Sequence, residues 1–300
     1  MADRITPELL KALRTSWASS FNGAFAGAKP RYTEVAMITK TNGRTGAYAW
    51  MGQMPALREW IGQRIIHDLN TYGFEIENKD FEMMVRVKRN DILDDLVGTY
   101  GPLFSEMGRS AALHPDELVF SLLPKGFTAS CYDGQNFFDD NHLSWNAKGE
   151  EIAVSNYQDG AGPAWYLLDT SREIRPLIYQ RRQDYNMISL DDVEDPNVVF
   201  NKEFLYGSDG RSNAGYGMWQ MAYASKAPLN SENYDAACIA MASLRGDSGK
   251  ILAVKPTVLV VPPALKTAGR NVFKPNLAGG ESNVLADDKI DLMVIEHLAE

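Results

Sequence analysis

The chain has little cysteine and no long apolar run. Among its 300 residues are two cysteines, Cys131 and Cys238, far apart in the sequence. They cannot form the disulfide framework of a small secreted protein, so we expect a reducing compartment such as a cytoplasm. No apolar run approaches the ~20 residues that a membrane span requires, and charges occur throughout the first turns at the N-terminus. We therefore expect neither a membrane segment nor a signal peptide.

Basic charge is also scarce. Lysine and arginine number 30 against 39 aspartates and glutamates, which gives a net charge of −9 and a pI near 5.1. Basic residues form only short clusters, such as the pair Arg181-Arg182. Because nucleic-acid binders concentrate cations to neutralise phosphates, this balance argues against phosphate binding as the main role.

The sequence lacks the common motifs of catalysis and nucleotide binding. A P-loop, an H-E-x-x-H zinc motif and a G-x-S-x-G nucleophile elbow are all missing. The glycine-rich stretch "GSDGRSNAGYG", 207–217, lacks the third glycine of a dinucleotide fingerprint and precedes no predicted helix. It is better interpreted as a loop leading into a strand.

What the sequence does contain is typical of a globular α+β protein, with 45% hydrophobic and 23% charged residues. Its length suits one large domain or two modest ones. Thr6 and Pro7 carry the N-cap and first-turn signals of a helix, and Asn230 or Ser231 caps another. Pro115 lies inside the predicted helix over 99–123 and should kink or restart it, unless the proline is tolerated. Apolar spacing predicts helices over 7–26, 55–72, 99–123 and 231–245.

The predicted strands do not alternate regularly with helices, which argues against a doubly wound sheet. One of them, 74–92, alternates apolar and charged residues over an unusual length. So long a ribbon needs partners on both edges, and a neighbouring subunit would supply one. Other strand patterns cover 31–38, 47–52, 255–265 and 289–298.

The loop "CYDGQNFFDDNHLSWN", 131–146, gathers residues that could bind a metal or act as a nucleophile and its base. It lacks the paired short spacing of zinc sites and the glycine position of an EF-hand, so turn formation explains its Asp and Asn residues better. A pair formed by Cys131 and His142 would depend on the fold rather than on spacing. A metal-dependent hydrolase using Cys131, Asp139 and His142 is therefore kept as an alternative.

Six segments occur together and in one order. The segments are "PALREWIGQR", "YGFEIENKDFEMMVRVKRNDI", "GTYGPLFSEMGRSAALHPDELVF", "CYDGQNFFDDNH", "NKEFLYGSDGRSNAGYGMWQMAYAS" and "LVVPPAL". Together they resemble the gpT family, the major head subunits of Mu-like tailed bacteriophages and prophages, over roughly residues 31–265.

The resemblance implies an α+β Hong Kong-type capsid fold with an N-terminal arm, an extended loop, a peripheral domain with a spine helix, and an axial domain. Mapped by order, the arm covers 1–30 and the strand and extended loop cover 31–80. The peripheral domain with its spine helix covers 81–123. The portion 124–270 is mainly axial, with 164–185 partly peripheral, and 271–300 returns to the peripheral domain.

The resemblance also implies a function. The chain would assemble with itself into hexamers and pentamers of an icosahedral head that encloses double-stranded DNA, in the host cytoplasm. Scaffolding protein and portal would be partners, with a decoration protein as a further candidate; no cofactor, catalysis or membrane is expected. An encapsulin-like compartment shell is the alternative with the same fold. By position, we expect intersubunit contacts from Trp50, Arg58, Glu59, Trp60, Arg64, Asp68, Asp139, Asp140 and His142.

Overall fold

A computed structural model describes residues 5–48, 74–94, 96–246, 249–273 and 290–299. The predicted helix over 55–72 lies outside these residues. The helices are α1 (Pro7–Gly27), α2 (Tyr32–Val35), α3 (Arg89–Leu93), α4 (Tyr100–Phe120), α5 (Leu122–Lys125), α6 (Pro196–Asn201), α7 (Ser231–Ala242) and α8 (Lys266–Val272).

The described strands form two larger sheets and two short pairs. The first seven strands are β1 (Ala36–Lys40), β2 (Thr45–Ala47), β3 (Glu75–Glu77), β4 (Lys79–Lys88), β5 (His142–Trp145), β6 (Glu151–Val154) and β7 (Tyr157–Gln158). They are followed by β8 (Trp165–Leu168), β9 (Leu177–Leu190), β10 (Glu203–Tyr216), β11 (Ala222–Ser225), β12 (Val258–Val261) and β13 (Asp291–Val294).

Helix α1 begins and packs as its sequence predicts. The Thr6 hydroxyl accepts a hydrogen bond from the Leu9 amide at 3.3 Å, and Pro7 occupies the first turn. On its buried face the Trp17 ring stacks on Phe104 of α4, with centroids 5.0 Å apart, and meets the edge of Tyr206 at 4.8 Å. These aromatic contacts fix α1 against α4 and one sheet.

That sheet has the strand order β1-β9-β10-β4. Strands β9 and β10 are 14 residues each and pair antiparallel, β10 pairs antiparallel with β4, and β1 joins β9 in parallel. Side chains from β4 and β10 join α1 and α4 in one apolar cluster. The β9–β10 hairpin and helix α4 thus form two layers that pack against each other.

The second sheet has the order β13-β12-β8-β11-β7. Strands β8 and β12, "WYLL" and "VLVV", are buried at every position, because this sheet is covered on both faces. Helix α7 covers one face through Tyr234, Ala237 and Met241. The Asn230 side chain accepts a hydrogen bond from the Asn233 amide at 2.9 Å, which confirms the predicted cap.

Helix α4 continues through Pro115 to Phe120, so the proline is tolerated there, which was one of the expected outcomes, although it has no N–H to donate within the helix. Two strand predictions differ from the structure. The segment 31–38 begins as the short helix α2, because the Asp116 carboxylate accepts hydrogen bonds from the amides of Arg31 and Tyr32 at 2.9 and 2.6 Å. The ribbon 74–92 is broken at Asn78, which is buried and separates β3 from β4.

The remaining sequence-based boundaries shift by a few residues. The predicted strands over 255–265 and 289–298 correspond to the shorter β12 and β13. Across the described residues, no helix combines the length and apolar character that crossing a membrane would require.

Candidate functional site

The loop before β5 is anchored to the core by two phenylalanines. Phe137 and Phe138 are 0% and 2% exposed, and the Phe137 ring stacks on Tyr216 with centroids 4.5 Å apart. Backbone hydrogen bonds close the loop on itself: the Phe137 amide donates to Ala129 at 3.0 Å and the Phe138 amide to Gly126 at 2.9 Å. Its polar side chains are therefore held in a defined arrangement.

Asn156 holds the next part of the loop. Its buried amide group accepts a hydrogen bond from the Asp139 backbone N–H at 2.9 Å and donates to the carbonyl oxygen of Phe137 at 2.8 Å. The Asp139 carboxylate accepts from the Asn141 amide at 3.1 Å, in a local Asx turn. Asp139 is half-buried and Asp140 is exposed, so this acidic pair faces outward.

Three side chains in the loop converge. The Cys131 thiol donates to Asp133 Oδ1 at 3.1 Å, and His142 Nδ1 lies 2.7 Å from Asp133 Oδ2. Gly134, in the left-handed region at φ 85°, makes the turn that follows Asp133. The sequence pointed to Asp139 as the acid of such a group; the structure brings in Asp133 instead.

The electrostatics of this group do not suit a nucleophile. Burial, followed by the neighbouring Asp133 carboxylate, raises the pKa of the Cys131 thiol far above its usual value, so the thiol stays protonated. Burial alone would raise the pKa of Asp133, but hydrogen bonds from His142 and Cys131 bring it below its usual value. Asp133 stands between thiol and imidazole, so the imidazole is not placed to take the thiol proton.

His142 is enclosed. Its side chain is 0% exposed, and its ring lies parallel to Trp219 with centroids 4.1 Å apart. Among the described residues, its Nε2 has no hydrogen-bond partner. The ring is therefore covered within the subunit, and the expected intersubunit contact of His142 stays a prediction.

The other expected contact residues divide into two groups. Asp139 and Asp140 stay predictions, and the structure places them at the surface side of the loop. Trp50, Arg58, Glu59, Trp60, Arg64 and Asp68 lie outside the described residues.

Sequence reasoning missed an apolar surface at the far end of the β9–β10 hairpin. Phe200 is 83% exposed and Val199 is 58% exposed, both on α6. Further exposed apolar side chains lie close by in the chain, at Ile188, Leu190 and Val193. The acidic residues of "DDVED", 191–195, interrupt them, and this mixed pattern hid the surface in the sequence. We call residues 188–200 the hairpin tip.

Comparison with known proteins identifies relatives along nearly the whole chain. Residues 10–298 match the family model described as the Mu-like prophage major head subunit gpT. The major capsid protein of Escherichia phage Mu is 41% identical over 303 residues, covering 98% of this chain and 99% of the relative. The Mu-like prophage FluMu major head subunit of Haemophilus influenzae is 43% identical and covers 96% of each chain.

Solved phage shells have the same architecture. A chain of the bacteriophage JBD30 procapsid superposes with a TM-score of 0.83 at 43% identity, covering 97% of this chain and 98% of that one. A chain of the JBD30 capsid gives 0.78 at 32% identity, covering 99% and 100%.

Proposed function

Because the chain belongs to the family of Mu-like phage major head subunits and has the Hong Kong-type capsid fold, we propose how it builds its shell. It is a structural component of the phage head. In our proposal, hexamers and pentamers of this chain close into an icosahedral head around double-stranded DNA. Assembly takes place in the host cytoplasm with a scaffolding protein and a portal, and a decoration protein is a further candidate partner.

The hairpin tip is the observation that carries the self-assembly proposal. A large apolar side chain that is 83% exposed on an isolated subunit, with four other exposed apolar residues nearby in the chain, is typical of an interface. The exposed acidic residues Asp192 and Glu194 lie between these apolar residues in the chain and add the polar character that the edges of protein interfaces usually have. We propose that the hairpin tip contacts another copy of this chain in the shell.

The domain assignment follows the two sheets. We propose that the peripheral domain contains α4 and the whole four-stranded sheet. It then includes all of β9 and β10, whereas the mapping by segment order gave it only part of 164–185 from this region. The axial domain then contains the five-stranded sheet, α7 and the loop 131–146. Asp139 and Asp140 remain proposed contacts there, as do Trp50, Arg58, Glu59, Trp60, Arg64 and Asp68.

We propose no catalytic role for this chain. The hydrolase alternative needed Cys131, Asp139 and His142 together, whereas the side chain that contacts both Cys131 and His142 is Asp133. The Asp139 carboxylate instead accepts a hydrogen bond from the Asn141 amide. The encapsulin-like alternative predicts a cargo-enzyme gene beside this one, and the phage proposal predicts portal and terminase genes. The acidic net charge of −9 suits a wall that does not adhere to packaged DNA.

Co-expression with the scaffolding protein tests the proposal. Sedimentation and negative-stain microscopy should show shells for the wild-type chain. Phe200→Ser should keep the subunit folded, with an unchanged melting temperature, but reduce the yield of closed shells severalfold.

Ile239→Ser, a matched change at a 69% exposed isoleucine on α7, reports the general effect of removing an exposed apolar side chain. Equal shell yields for Phe200→Ser and the wild type would refute the hairpin-tip contact. A wild-type chain that remains monomeric with scaffold would refute self-assembly itself.

A further inference from the structure

The group Cys131, Asp133 and His142 has the composition of a metal site. Each residue offers one ligand atom, and these atoms all lie within 4.8 Å of one another. Cys131 and His142 are 6% and 0% exposed, and the Asp133 side chain is 17% exposed. Thiolate, imidazole and carboxylate are the three side-chain ligand types of protein zinc sites.

We propose that Cys131, Asp133 and His142 bind one Zn²⁺ ion, which ties the loop before β5 to the start of that strand. Zinc bonds of about 2.0–2.3 Å place neighbouring tetrahedral ligand atoms roughly 3.3–3.5 Å apart. The Sγ–Oδ1 distance is 3.1 Å and the Nδ1–Oδ2 distance is 2.7 Å. Both pairs need to separate by about half an ångström to admit the ion. The three ligand atoms lie within 4.8 Å of one another, so Cys131 Sγ and His142 Nδ1 need to approach each other by at most about 1.3 Å.

Without the ion, two protons hold the same three side chains together. Asp133 is an ionised acceptor, so the thiol S–H and the imidazole Nδ1–H are the donors of its two hydrogen bonds. When Zn²⁺ enters, the Cys131 proton leaves to solvent and the imidazole proton moves from Nδ1 to Nε2. The thiolate and the carboxylate then balance the two positive charges of the ion, as a buried site requires.

The surroundings hold the ligands in place before any ion binds. The Gln135 amide donates to Asp133 Oδ1 at 3.0 Å, and the Cys131 amide donates to the Gln135 carbonyl at 2.8 Å. The parallel Trp219 ring sets the plane of the His142 imidazole. Three protein ligands leave the fourth position of a tetrahedral zinc ion for a water molecule. Water can reach this position past Asp133, because the Asp133 side chain is partly exposed.

Cobalt is a direct probe, because Co²⁺ takes the same ligands as zinc and its bond to a thiolate absorbs in the near ultraviolet. The full-length chain, treated with chelator and a reductant, is titrated with Co²⁺ and then with Zn²⁺. We expect a thiolate-to-cobalt band that saturates at one ion per chain and is displaced by Zn²⁺. Zinc titration calorimetry in buffers of different ionisation enthalpy should show about one proton released per ion.

Variants assign the band to this site. Cys131→Ser should abolish it, and Asp133→Asn should weaken Zn²⁺ binding by more than about 100-fold, since loss of an outer partner alone typically costs 10–100-fold. Cys238→Ser, which removes the other cysteine, and Asp139→Asn, which removes the neighbouring carboxylate, should leave the titration unchanged. Melting in chelator shows that each variant is folded.

Three results would overturn the proposal: no cobalt band in the wild-type chain, a band that survives Cys131→Ser, or a band that disappears in Cys238→Ser. Shell assembly is not the readout, so failure of this proposal is distinct from failure of the proposed function.

Discussion

Replacing Gly108 by alanine tests how closely α1 lies against α4. A Cβ atom at this position would be 2.1 Å from the Phe21 carbonyl oxygen and 3.0 Å from the Phe21 Cα. Both atoms belong to the backbone, so no side-chain rotation can relieve the contact. The two helices must move apart, and the contacts of Trp17 and Phe21 with α4 are then lost in part.

The magnitude follows from two opposing effects. Alanine improves helix propensity over glycine by about 1 kcal/mol. Overpacking of a closely packed contact costs about 1–3 kcal/mol, and a backbone obstacle favours the upper end of that range. We therefore expect Gly108→Ala to lower the free energy of unfolding by about 2 kcal/mol.

Two other glycines in the same helices provide matched controls. At Gly23 in α1 and Gly101 in α4, a Cβ atom would have no neighbouring atom within 4 Å. Gly23→Ala should therefore stabilise the chain by about 0.5–1 kcal/mol, and Gly101→Ala should be neutral or slightly stabilising, since it lies in the first turn.

Urea unfolding of all three variants at one fixed subunit concentration is the assay, because association contributes to apparent stability. If Gly108→Ala proves as stable as Gly23→Ala, α1 does not lie against α4 at this point and the contact is wrongly described.

Three further predictions concern polar groups that are buried or half-buried. Asn156→Asp should destabilise the chain by about 3 kcal/mol or more in urea unfolding, because a carboxylate oxygen would replace the amide donor facing Phe137; a stability equal to wild type would contradict this. Asp116→Ala should cost about 1.5–3 kcal/mol in the same assay, since it removes the acceptor of two amides at the start of α2; Glu117→Ala is its control. Burial lowers the pKa of His114, so its neutral form stabilises the fold above about pH 6.5, and that stability is lost as the pH falls below this value. His114→Gln should therefore reduce the fall in melting temperature between pH 7 and pH 5. A fall equal to that of the wild type would contradict a role for His114 in this pH dependence.

Much of the local structure could be predicted from the sequence. The cap at Thr6, the first-turn proline and the cap at Asn230 depend on residues within four positions of one another, so short-range rules predict them correctly. The buried strands β8 and β12 show as continuous apolar runs. The family and its capsid fold could also be predicted from the sequence. Six segments in a fixed order are specific evidence for a family, even though each segment alone is weak evidence.

Other features were decided by contacts between distant parts of the chain. Helix α2 interrupts a strand pattern because Asp116, 85 positions from Arg31, supplies the acceptor for its first amides. The hairpin tip could not be predicted from the sequence, because the exposure of a side chain depends on which side chains the rest of the fold covers. Acidic residues also separate its apolar residues, so no continuous apolar run marks it.

The loop 131–146 shows the division most clearly. Its sequence determined that a thiol, an imidazole and several carboxylates would lie within a dozen residues, and that no short-range spacing paired them. Only the tertiary structure decided that Asp133, rather than Asp139, joins Cys131 and His142. The physical reason is that the turn at Gly134, the burial of Phe137 and Phe138, and the Trp219 ring together orient the loop.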